Sequence, residues 1–197
     1  MLPAKRRGLA YAAHSQPLIE STPLVSEVGL DGKARPAMEV QRHNFREILG
    51  VLAKTPRVTS IHSYAAIPQL LEELEAQPIR GAVLHWWLGD ADQTTRAVDL
   101  GCYFSANAAS VRHVRELTTI PPGRLLPETD HPFGDRFGGP DGRPGNVESV
   151  ELALGRLYGL SQEELRLQMW RNLGILISGT GATSLLPRPV KVFLLSL

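Results

Sequence analysis

Short apolar runs alternate with longer amphipathic stretches along this chain, and the two patterns specify different elements. Helical spacing puts Phe45, Ile48, Leu49 and Leu52 on one face of a helix over about 37–54, between Pro36 and Pro56. The same spacing predicts helices over about 66–75, with Ile67, Leu70, Leu71 and Leu74 inward, and over about 90–99. Further helices follow from Val111, Val114 and Leu117, and from Val147, Val150, Leu154 and Leu157. Ser161 and Glu164 form a capping box that opens a last helix to about 175. The short runs read as strands: about 9–13, 22–28, 58–61, 82–84, 102–105 and 125–126. The end from Gly179 is broken by Gly, Ser and Pro, which predicts a loosely packed tail at 177–197 behind one domain at 1–176.

Sustained strand–loop–helix alternation implies a parallel sheet, because parallel neighbours need a crossover connection. The expectation is an α/β fold like a TIM barrel, with about six parallel strands. Four strand ends carry a potential metal ligand: Glu27, His62, His85 and Asp130. In a barrel all strand C-termini open on one face, so these four residues converge there.

Two imidazoles and a carboxylate suit Zn, Mn or Fe ions, and two carboxylates with water also accept Mg. Glu27 is placed to bridge two ions. Asp130 is placed to bind one and to take a proton from the attacking water. The ordinary alternative for a single strand-end histidine is a hydrogen-bonded structural role; four matching strand ends carry the argument. Trp86 and Trp87 either wall a pocket or fill the core. Arg57, Arg124, Arg136 and Arg143 are candidates for phosphate contacts.

Bulk properties narrow the picture. The 197 residues suffice for one sizeable core, and a net charge of +1 gives no global argument for nucleic acid or membrane. The one cysteine, Cys102, forms no internal disulfide and fits a cytoplasmic setting. The apolar end at 190–197 is far short of the roughly 20 residues that span a bilayer.

Five motifs now stand in order: Glu27-Val28-Gly29-Leu30-Asp31, Ile61-His62-Ser63, Leu84-His85-Trp86-Trp87-Leu88-Gly89, Asp99-Leu100-Gly101-Cys102-Tyr103-Phe104-Ser105 and Glu128-Thr129-Asp130-His131-Pro132. Together they resemble the TatD family of metal-dependent hydrolases and deoxyribonucleases, over about residues 9–176. The resemblance implies a (β/α)₈ barrel with one or two divalent ions, Glu27 bridging them, His62 and His85 on one, and Asp130 on the other as base. It implies hydrolysis of phosphodiester bonds in DNA.

The sequence departs from that family in its front part. The family's first strand carries His-x-His, which is absent here, and Ala13-His14-Ser15-Gln16-Pro17 stands where the family has Gly-x-His-Pro. Ser26 replaces a usual glycine and Tyr64 a frequent arginine. Two β/α units of a barrel of about 250 residues are therefore expected to be missing. That leaves two raw sheet edges and an open apolar interior; the expectation is an upstream segment that completes them, the alternatives being a partner or a decayed remnant. Two other functions remain open: an amidohydrolase-like esterase or lactonase, which usually adds a bridging lysine not found at any strand end here, and a non-catalytic subunit that binds DNA or a partner.

Overall fold

A computed structural model describes residues 17–135 and 143–197. Its sheet has five parallel strands in sequence order: β1 (Leu24–Gly29), β2 (Val58–His62), β3 (Ala82–Leu84), β4 (Tyr103–Ala106) and β5 (Leu125–Pro127). Helices α1 (Met38–Lys54), α2 (Ile67–Ala76), α3 (Ala91–Asp99) and α4 (Val114–Thr118) connect successive strands, and α5 (Glu148–Tyr158), α6 (Gln162–Thr180) and α7 (Arg188–Leu195) follow β5. The parallel α/β expectation is met. The candidate strand at 9–13, His14 and Arg136 lie outside the described residues.

Strand side chains alternate between two faces. Ile61, Leu84, Phe104 and Leu125 point to one face and join Phe45, Leu49 and Leu52 of α1, Leu70, Leu71 and Leu74 of α2, and Leu154 of α5 in the larger core. Val58, Val83 and Tyr103 point to the other face, which also carries His62 and His85 at the C-terminal strand ends.

This second face is not open. Leu176 and Ile177 of α6 and Leu186 pack on Val58, Val83 and Tyr103, with Val190 and Leu194 of α7 behind them. The loose tail expected beyond Gly179 is instead helical and forms part of a core, because the apolar strand face needs a cover. Pro189 sits in the first turn of α7, where its missing N–H costs nothing. The expected boundary at 176/177 falls inside α6.

α6 serves both faces. Leu165 and Met169 join the larger core, while Leu176 and Ile177 join the second. Between them Asn172, fully buried, donates to the carbonyls of Leu125 (2.8 Å) and Pro122 (2.7 Å). The Glu128 N–H bonds Ala106 on β4, so Leu125 and Pro127 direct their polar groups away from β4. Asn172 satisfies the first, and Pro127 has no N–H to offer. The β5 edge is therefore blunted, contrary to the raw edge expected from the sequence.

Candidate metal centre

Glu27 reaches the site through an irregularity in β1. Val25 pairs with Thr59 and Val28 with Ile61, so three steps along β1 match two along β2. Val25 and Val28 both pack on the larger core. The extra residue between them turns Glu27 to the face of His62, as a β-bulge does. Gly29 follows with φ +143°, and a Cβ there would lie 2.1 Å from the His62 carbonyl oxygen. No other residue allows that approach of β1 to β2.

Glu27 Oε1 lies 2.9 Å from His62 Nδ1 and 3.5 Å from His85 Nε2. One ligand atom from each of these residues falls within 4.8 Å of the others. The two imidazoles stack with centroids 5.9 Å apart. Asp130 Oδ1 stands 3.9 Å from His85 Nε2, adjacent to the three. All four sequence candidates thus meet, three as a compact donor set and Asp130 beside it. Two imidazole nitrogens and a carboxylate oxygen around one point are the donors that Zn, Mn and Fe ions take.

The charges are tuned by this proximity. The hydrogen bond with His62 holds the Glu27 carboxyl below its usual range, against the effect of burial. The same bond raises the pKa of His62. Burial disfavours a charged His85, but its bond to Glu128 and the surrounding carboxylates outweigh burial and raise its pKa. Burial lifts the Asp130 carboxyl above its usual value, with the His85 charge offsetting part of that.

Glu128 stands in the Glu-Thr-Asp motif, where the sequence alone assigns it no role. Its carboxylate accepts from His85 Nδ1 (2.8 Å), the Trp86 backbone N–H (3.1 Å), Ser105 Oγ (2.6 Å) and Asn107 Nδ2 (3.1 Å). An ionised carboxylate only accepts, so the proton of neutral His85 sits on Nδ1 and the Nε2 lone pair faces Glu27 and Asp130. Asp31 lies behind His62 without a hydrogen bond, its Oδ2 3.7 Å from Nε2. The Gln41 side chain fixes the Asp31 backbone through its N–H (2.8 Å) and its carbonyl (2.9 Å).

The other candidates separate. Trp87 is fully buried and donates to Thr94, so it is core. Trp86 stands edge-on to His85 at φ 43°, and its buried Nε1 has no partner among the described residues. Arg57 is spent on the carbonyls of Ile19, Glu20 and Pro56. Arg124 lies over the Tyr103 ring and bonds the Gly101 carbonyl, at the strand ends remote from the site. Arg143 is exposed. Cys102 is buried with its thiol pushed up to about 12, so it supplies no nucleophile.

The family model described as TatD related DNase matches residues 14–178. This chain belongs to the TatD family. Among curated proteins it is 31% identical over 118 residues to the uncharacterized metal-dependent hydrolase BU355 of Buchnera aphidicola, covering 55% of this chain and 44% of that protein. It is 27% identical over 156 residues to the uncharacterized metal-dependent hydrolase YcfH of Escherichia coli, covering 74% and 59%. The TatD chain described here thus spans 44% to 59% of the length of these relatives. Solved structures agree on the fold. The TatD homologue YjjV of Escherichia coli superposes with a TM-score of 0.74 at 22% identity, covering 85% of this chain and 70% of the other. A TatD family hydrolase from Entamoeba histolytica gives 0.65 at 17% identity, covering 82% and 65%.

Proposed function

We propose that this TatD family protein is a metal-dependent phosphodiesterase that hydrolyses DNA, with Glu27, His62 and His85 holding a divalent ion and Asp130 serving as ligand and base. The observation that carries this reading is the donor set within 4.8 Å. The relatives named as metal-dependent hydrolases support it.

The ion, Zn, Mn or Mg, would supply a water of lowered pKa and positive charge beside the phosphoryl oxygen. The protein's own residues do the rest. Glu128 keeps the His85 ring in the tautomer that presents Nε2. Glu27, with its carboxyl held ionised, adds negative charge between the imidazoles. Asp130, with its carboxyl raised, takes the proton of the attacking water. Asp130, together with Glu27, would hold a second ion.

A second reading is a non-catalytic subunit that binds DNA or a partner without cleaving it. Among the described residues no helix is long and apolar enough to cross a membrane. We place the protein in the cytoplasm, where a lone thiol stays reduced. Metal analysis with a cleavage assay on DNA decides between the readings. A stoichiometric ion and cleavage lost in Asp130→Asn support the hydrolase. A chain that takes up no divalent ion supports the subunit.

A further inference from the structure

Two of the four donors are followed, within three residues, by a large aromatic ring in solvent. Tyr64 after His62 is 57% exposed, and Phe133 after Asp130 is 64% exposed. Isolated exposed apolar side chains need no explanation. These two differ because their backbones are fixed.

The loops after β1 and β2 are joined. Leu30 N–H donates to the His62 carbonyl at 2.9 Å, and Gly32 N–H to the Tyr64 carbonyl at 2.8 Å. A Cβ on Gly32 would lie 2.2 Å from the Ala65 oxygen, so glycine permits this closeness. After β5, the N–H groups of Phe133 and Gly134 both donate to the Asp130 carbonyl at 2.8 Å. The Gly134 carbonyl accepts from Ala109 at 3.0 Å, and a Cβ on Gly134 would lie 2.6 Å from Asn107 Nδ2. Asn107 in turn is held by Glu128. An aromatic ring on a fixed backbone loses little freedom when it is covered, which is the property of a binding anchor.

Their places follow from the chain. Two residues from His62 span at most about 7 Å, and the turn that returns Phe133 to Asp130 keeps those Cα atoms within about 7 Å. β3 and β4 lie between β2 and β5, three strand spacings or on the order of 14 Å across the sheet. The two rings thus leave loops after strands that lie on either side of β3, the strand that leads into His85. Lys33 and Arg35, both exposed, leave the loop after Asp31 beside Tyr64.

Two exposed flat rings on loops that follow different donors of a phosphodiester-cleaving centre, with Lys33 and Arg35 on the β1 loop joined to the first of them, fit a ligand that repeats planar groups along a charged backbone. We infer that Tyr64 and Phe133 are specificity residues that stack on the bases to either side of the scissile phosphate of a polynucleotide. This inference rests on the phosphodiesterase reading for the identity of the ligand. It requires those two bases to be unpaired when bound, since a ring has to replace a stacking neighbour.

The test uses the full chain and two short cleavage-resistant phosphorothioate oligonucleotides of equal length, one of thymidines and one abasic. Binding is followed by fluorescence anisotropy. The parent protein is expected to bind the thymidine strand roughly 5- to 150-fold more tightly, the range for loss of a base–aromatic stack. Tyr64→Ala and Phe133→Ala should each lose much of that preference while keeping abasic binding. Tyr64→Phe should retain it. Equal binding of the two strands by the parent, or an unchanged preference in both alanine variants, overturns the inference. Cleavage and metal content are measured separately. A chain that discriminates between the strands yet never cleaves DNA removes the hydrolase reading and leaves the stacking role standing. A chain that cleaves DNA with no base preference does the reverse.

Discussion

His85 Nδ1 and Glu128 Oε2 lie 2.8 Å apart, joining β3 to the end of β5 across the strand that separates them. Ser105 on that intervening strand bonds the same oxygen at 2.6 Å. The carboxylate is thus fixed by three elements before it fixes the imidazole. Glu128→Ala is expected to weaken divalent binding about 10- to 100-fold, the usual cost of losing a partner behind a metal-binding histidine. Isothermal titration with Zn or Mn measures it. Parental affinity in the alanine variant would show that His85 needs no such support.

The donors differ in what their loss should remove. His62→Ala leaves one imidazole and is expected to abolish most divalent binding. Asp130→Asn keeps an oxygen and the size but not the basic carboxylate, so it should retain metal and lose at least a hundredfold in cleavage rate, the lower end of general-base effects at about 10². Metal content beside a rate measurement separates the two variants. Cleavage by Asp130→Asn at the parental rate would remove the base from the mechanism.

Acid should loosen the α1–α2 contact. Glu73 is buried and accepts from Arg42 and Arg46, and its hydrogen bond with Arg46, then that with Arg42, hold its folded pKa below 4.5. Its stabilisation is complete above about pH 4.5 and is lost as pH falls through the folded value, because protonation breaks both ion pairs. Melting curves of the parent should therefore drop more steeply below that pH than those of Glu73→Gln. Parallel pH profiles would refute this assignment.

Asn172→Ala should cost about 1–3 kcal/mol, since it strands the Leu125 carbonyl at the sheet edge without a donor. Urea unfolding reads the change. A loss below about 0.5 kcal/mol, the scale of an ordinary surface substitution, would mean that water replaces the amide.

Leu186→Ala is expected to destabilise by about 2 kcal/mol or more, as truncation of a buried leucine does. The same measurement on Leu195→Ala, an exposed neighbour in α7, should show almost no effect. Equal and small effects at both positions would restore the loose tail that the sequence suggests.

The five described strands and the four candidate ligands were legible because the apolar runs are short and four of them end at or near a candidate ligand. Local spacing carries that information. The β1 bulge left a fainter trace: Val25 and Val28, three apart, share one face where strict alternation forbids it. Glu128 could not be assigned from the sequence, since its partner lies 43 positions earlier and only the order of β3, β4 and β5 brings them together. The sequence leaves Trp87 open between pocket wall and core, because strict alternation puts it on the face of His85, two residues earlier; β3 ends at Leu84 and Trp86 takes φ 43°, and Trp87 joins the larger core instead. The tail misled for a different reason. Pro187 and Pro189 look like breakers, yet Pro187 precedes α7 and Pro189 lies in its first turn, so neither interrupts the helix.

The apolar contacts of Leu176, Leu186 and Val190 with Val58, Val83 and Tyr103 tie two distant parts of the chain into one compatible set. A chimaera that keeps residues 17–180 and takes its C-terminal segment from another TatD protein would inherit side chains shaped for a different surface. Such hybrids should fold only when the strand residues are exchanged along with the tail. The natural unit for transplanting this centre is therefore the sheet together with both of its covers, not the loops that display the ligands.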